Sequence, residues 1–207
     1  MKRPVKLISA CSALLIALTL LCGCNKSDPA PEEVVSPAPI VTRDPAKTPD
    51  PDQYKPDAEG RIADDILSMQ LPKYLKFDSI TMNNVATYSG TPEGGSKIIF
   101  TYTIDDGGIY ADELAGYDFD SYQEYIRENI NEFFVLKEFS YTEIDGHEVL
   151  RAAYDYAPPG EPSHFTYVLQ YSFNVNGWIV GFAFTSLKDL PAECDDCIRT
   201  VKFNEGY

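Results

Sequence analysis

Cys194 and Cys197, with Asp195 and Asp196 between them, form the sharpest local pattern in this 207-residue chain. They follow a strand-like run and open a helix-like one, the setting in which a dithiol pair can exchange electrons. That chemistry needs a thiolate, and two adjacent carboxylates oppose one by raising the thiol pKa. The few residues after Cys197 leave no room for the rest of a redox domain. The pattern therefore reads as structural: a disulfide in an oxidising compartment, or two small apolar side chains on a buried helix face. Helical i, i+3 spacing puts their Cα atoms about 5 to 6 Å apart, within disulfide range. Zinc would need two further ligands, and His147 and His164 stand far apart with no i, i+4 partner for either.

The second candidate cluster is acidic. Asp105, Asp106, Asp112 and Glu113, followed by Asp118 and Asp120, could gather oxygen ligands for calcium. They lack the alternating D-x-D-x-D-G order of an EF-hand loop, so they are weak metal candidates and read better as a solvated loop with helix-capping acids. No G-x-S-x-G elbow and no Walker loop occurs. No catalytic residue and no cofactor is assigned from the sequence.

A third cysteine carries the clearest signal of location. Lys2, Arg3 and Lys6 precede an apolar stretch from Leu7 to Leu21 that ends in Leu21-Cys22-Gly23-Cys24. The stretch is shorter than the roughly 20 residues that span a bilayer as a helix, and it fits a cleaved signal peptide. Its end resembles the lipobox of bacterial lipoproteins. That resemblance implies cleavage before Cys24, diacylglycerol on the Cys24 sulfur, and a lipid anchor on the extracytoplasmic face of the cell membrane. Two acyl chains, at about 0.8 kcal/mol per buried CH₂, hold a soluble domain stably at a membrane.

From Asn25 to Gly60 the composition changes: eight prolines, eight acids, four bases and a single aromatic, Tyr54, with no apolar period. Such a segment buries too little surface to offset its ordering entropy. The expected organisation is therefore a signal at 1–23, a lipidated cysteine with a disordered Pro-rich tether at 24–60, and one domain at 61–207. That domain holds ten bases against 24 acids. The imbalance argues against nucleic acid and against docking on anionic lipid, both of which need basic patches.

Within the domain, Ile62–Leu71 has an ambiguous period, either a strand or a short helix. Leu75–Met82, Val85–Tyr88 and Ile98–Ile104 read as strands. Phe119, Tyr122, Ile126, Ile130 and Phe133 recur at helical spacing, with Asp120 and Gln123 placed as a capping box. Leu136–Ile144 and His147–Tyr156 flank Asp145-Gly146, while Phe165–Val175 and Trp178–Thr185 flank Asn176-Gly177; both pairs signal hairpins through type I′ turns. A last helix starts near Pro191, with Leu190, Cys194, Cys197, Ile198 and Val201 on one face. Strands, helix, four antiparallel strands and helix make an α+β fold, a largely antiparallel sheet with covering helices.

This order resembles the PsbP-like sandwich, a fold that includes the DcrB-type bacterial lipoproteins. The likeness rests on Phe119–Ile126, on Ile144-Asp145-Gly146-His147-Glu148, on Val175-Asn176-Gly177-Trp178 and on Ile198–Phe203. It implies binding or assembly of an envelope protein or ligand rather than catalysis, and it transfers no site residue. The competing expectation is a cell-envelope enzyme, hydrolytic or acting through the Cys194/Cys197 thiols.

Overall fold

The computed structural model describes residues 50–81, 84–106, 114–156, 167–188 and 190–205. Cys24, most of the expected tether, Asp112, Glu113 and His164 lie outside the described residues.

Four long strands form an uninterrupted antiparallel run: β6 (Phe134–Ile144), β7 (His147–Tyr156), β8 (Tyr167–Val175) and β9 (Trp178–Ser186). Their turns stand where the Asp-Gly and Asn-Gly pairs place them. Asp145, Gly146, Asn176 and Gly177 all have positive φ, between 52° and 86°, as a type I′ turn requires. Before them come β3 (Lys76–Ile80), β4 (Val85–Gly90) and β5 (Ile98–Asp106). Together they make a seven-stranded sheet of order β3-β4-β5-β9-β8-β7-β6, in which every neighbouring pair is antiparallel.

Alternation gives this sheet two faces. One carries Phe100, Tyr102, Phe173, Phe182 and Phe184 in the larger core. Helix α1 (Phe119–Asn129) covers the other, laying Tyr122 and Ile126 on Phe134, Leu150 and Tyr154. The larger core is closed by α2 (Glu193–Arg199) and by a small sheet of β1 (Arg61–Ala63), β2 (Leu67–Gln70) and β10 (Lys202–Phe203).

Four expectations are corrected. The ambiguous stretch 62–71 is neither one strand nor a helix: the Asp64 carboxylate accepts from the backbone N–H groups of Ile66 and Leu67 and turns the chain between β1 and β2. Helix α1 is capped by Asp118 rather than Asp120. Its carboxylate accepts from Ser121 N, and Ser121 Oγ accepts from Asp118 N, closing the box with Ser121 rather than Gln123. Phe119, expected on the packed face, is 43% exposed. Gln123 serves β6 instead: its Oε1 accepts from Leu136 N at 2.6 Å and its Nε2 donates to Phe134 O at 3.2 Å.

The fourth correction concerns the domain boundary. Residues 50–60, assigned by composition to the tether, belong to the fold. Asp50 caps a 3-10 helix, Pro51–Tyr54. Tyr54 is buried, its ring 5.9 Å from that of Tyr102, and its carbonyl accepts from the Tyr88 hydroxyl at 2.6 Å. Truncating a buried aromatic costs about 3 to 5 kcal/mol. Tyr54→Ala should lower unfolding stability in urea by about that amount, and a chain beginning at Arg61 should be destabilised at least as much. A chain beginning at Arg61 that unfolds at the midpoint of one beginning at Asp50 would place the boundary back at Gly60.

Candidate functional site

The site forms where an apolar row crossing the sheet turns polar. The register aligns Ala86, Tyr102, Phe182, Tyr171, Arg151 and Ser140 across six strands, from β4 to β6. The first four are buried, the Arg151 side chain is 22% exposed, and Ser140 is exposed. Arg151 is thus a charged residue at an inward position of β7, between Val149 and Ala153 of the core.

Its guanidinium is held from three directions. Nη1 donates to Glu138 Oε2 at 2.6 Å, and Nε donates to the Tyr171 hydroxyl and to Asp195 Oδ1, each at 3.1 Å. The Tyr171 hydroxyl also donates to Asp195 Oδ1, and the guanidinium carbon stands 5.9 Å from the Tyr171 ring centre. Burial would lower the Arg151 pKa, but the bonds to Glu138, Asp195 and Tyr171 outweigh it and hold it raised. Burial, with Asp195 beside it, pushes the Tyr171 phenol up as well. At neutral pH the cluster is a set of fixed donors and acceptors rather than a proton-transfer pair.

Beside this cluster, strand residues 140–144 with Arg151, Tyr171, Asp195 and Arg199 line a groove of about 340 Å³. Arg199 comes from the last turn of α2. Its guanidinium has no ion pair or hydrogen bond among the described residues, and neither do the hydroxyls of Ser140 and Thr142.

The expected chemical residues fall differently. Cys194 and Cys197 are both free thiols, 0% and 4% exposed, in the larger core. Burial pushes the Cys194 thiol up to about 12, with Asp195 and Glu193 adding to it and a contact with the Tyr74 hydroxyl at 3.9 Å opposing. Burial, and then Cys194 itself, raises Cys197 too. The carboxylates act in the expected direction but come after burial. Asp105 and Asp106 end β5, opposite Ile179 and Trp178. Asp118 caps α1 and Asp120 lies in its first turn. His147 opens β7 with its ring against Phe203, 4.5 Å between centroids. Among the described residues, no group of three or more His, Cys, Asp or Glu side chains is placed to hold a metal ion.

Arg151, Tyr171, Glu138 and Arg199 were not singled out from the sequence. A signal was present: alternation in β7 puts Val149, Arg151 and Ala153 on one face, so an inward arginine was readable once the hairpin was placed. Its partner Asp195 comes from a helix far along the chain, and no spacing rule points to it.

No family model matches this chain, and no curated protein does. Among solved structures, it is similar to a protein from Bacteroides thetaiotaomicron VPI-5482 known from a crystal structure at 1.50 Å. The identity is 16% and the TM-score 0.41, over 68% of this chain and 46% of that one, so this chain spans less than half of that protein's length.

Two expectations follow from the geometry. A hydrogen bond to a charged group contributes about 1.5 to 3 kcal/mol, so Arg151→Ala should cost about that much in urea unfolding, with Arg151→Lys recovering little because an ammonium lacks the planar fork. An unchanged midpoint for Arg151→Ala would show the cluster to be energetically idle. The thiols make the second. Folding raises their pKa values, so their contribution is complete below the unfolded value near 8.5 and fades as pH climbs toward the folded one. Stability should fall between about pH 9 and 11 by up to about 1.4 kcal/mol per pH unit for each thiol. Cys194→Ala with Cys197→Ala should flatten that slope; an identical slope in the double variant would exclude the thiols as its source.

Proposed function

We propose that this chain is an extracytoplasmic lipoprotein, anchored through lipid on Cys24, whose domain is a binding or assembly module that works through the groove beside β6. The observation that carries the reading is the run Leu21-Cys22-Gly23-Cys24 behind a basic start and an apolar stretch. In this reading the Cys24 lipid holds the protein at the membrane; among the described residues no helix is long and apolar enough to cross one. A seven-stranded antiparallel sheet covered on both faces supports a PsbP-like sandwich as the finer fold.

For the domain, the cluster around Arg151 favours recognition over reaction. Its hydrogen-bonding groups are fixed in place, and its tyrosine is poised as a donor rather than a base. The thiol-redox alternative is opposed by two buried cysteines with raised pKa values, since exchange requires an accessible thiolate.

Membrane attachment is the part to test first. Cys24→Ala should move the protein from the membrane fraction to the soluble fraction of the producing bacterium, and labelled palmitate should enter the wild-type chain but not the variant. Retention of the variant in membranes, or unlabelled wild-type protein, refutes the anchor.

A further inference from the structure

We propose that the outer edge of β6 between Phe139 and Glu143 is a strand-addition site for an extended peptide segment bearing one acidic group, which Arg199 receives. The inference rests on the binding-module reading and names its ligand class.

The edge is half closed and half open. β6 ends the seven-stranded sheet. The two-residue turn makes Ile144 and His147 the closing pair, so the backbone groups of Ile144, Thr142 and Ser140 point to β7 and those of Glu143, Tyr141 and Phe139 point outward. At the other end of the strand, Gln123 plays the part of a neighbouring strand, taking the N–H of Leu136 and the carbonyl of Phe134. A register shift between Leu136 and Glu138 separates the two halves.

Beyond that shift no described residue bonds the outward backbone of the edge. The outward N–H and C=O groups of Phe139, Tyr141 and Glu143 have no hydrogen-bond partner among the described residues. Proteins blunt such edges with bulges, lysines, prolines or a covering element. The bulge, Lys137 and Gln123 all fall on the half that is already closed, and among the described residues the open half has none of these devices.

The groove supplies the chemistry of the occupant. It borders five consecutive residues, 140–144, and so opens along the backbone as well as over one face. Every second side chain of an added strand would lie on the face of Arg151 and Arg199. A guanidinium without a partner, in a domain of ten bases and 24 acids, favours a carboxylate on the incoming segment. Glu138 and Glu143 stand close by and work against a polyanion, which leaves a mostly neutral strand with a single acid. The negative domain equally opposes edge-to-edge pairing of two copies.

The probe is acetyl-Thr-Val-Thr-Val-Thr-Glu amide, with a Gln-ended twin, added to the full chain in detergent and followed by amide hydrogen exchange. Without peptide, the amides of Phe139, Tyr141 and Glu143 should exchange fast and those of Ser140 and Thr142 slowly. The Glu-ended peptide should slow the first three at least tenfold, and methylating its alternate amide nitrogens should abolish the effect. Arg199→Ala should weaken the Glu-ended peptide about tenfold, as for loss of one charge-assisted bond, and leave the Gln-ended one unchanged. Glu143→Pro, which removes an outward donor from an exposed edge position, should weaken both. Absence of protection by either peptide at millimolar concentration overturns the proposal. So does protection that exists without peptide and rises with protein concentration, since a second copy would then cover the edge. Failure of the Cys24→Ala release would remove the anchor and leave these results standing.

Discussion

The central strands of the seven-stranded sheet bury side chains on both faces, and the rest of the domain follows from that. β8 and β9 are inaccessible at most positions whichever way the side chain points. A sheet with two water-excluding faces needs two covering layers. α1 supplies one, with Tyr122 and Ile126 as its buried residues. The other is assembled from short pieces: β1, β2, β10, α2 and the 3-10 helix at Pro51–Tyr54. Each piece is too short to be stable by itself. Together they close over the aromatic core, in which the rings of Phe100 and Phe184 stack with centroids 4.6 Å apart. This accounts for the inclusion of residues 50–60, where the buried Tyr54 packs its ring 5.9 Å from that of Tyr102.

The groove lies where that second layer runs out. Tyr171 sits at the margin, its ring in the core and its hydroxyl out of it, bonded to Arg151 and Asp195. Arg151 is one strand further toward the edge, and a polar ribbon of Glu138, Ser140 and Thr142 follows on β6. Arg151 buries its stem beside Val149 and Ala153 and turns its head to Glu138, a typical way for a long cation to border a core. Position in the sheet, rather than any local motif, places these groups side by side.

That difference marks what could be read from the sequence. The two hairpins were legible because Asp145-Gly146 and Asn176-Gly177 demand positive φ, and α1 because Tyr122 and Ile126 keep a helical period. Its start was misplaced by two residues because Asp118 and Asp120 are both competent caps, and only the chain path selects between them. Residues 50–60 were misassigned because proline and acid content describes a window, while one tyrosine decides whether that window is packed. Asp64 ended β1 through a turn that local hydropathy does not record. The Arg151 cluster needed contacts between residues 44 positions apart, from Arg151 to Asp195, and such pairing appears only once the sheet and α2 are assembled.

The motif that first suggested chemistry is divided by helix geometry. At about 100° per residue, Cys194 and Cys197 point into the core, Asp195 points sideways to Arg151 and Tyr171, and Asp196 faces solvent. Its cysteines therefore pack in the core, and its first aspartate bonds the Arg151 cluster. α2 is seven residues long, well below the length at which an isolated helix persists in water. It is held by the packing of Cys194, Cys197 and Ile198 on one side and by the Asp195 bonds on another. Arg199, at the end of the same helix, owes its place over the groove to both. The thiols thus hold, as neutral, buried groups, the helix that carries the guanidinium.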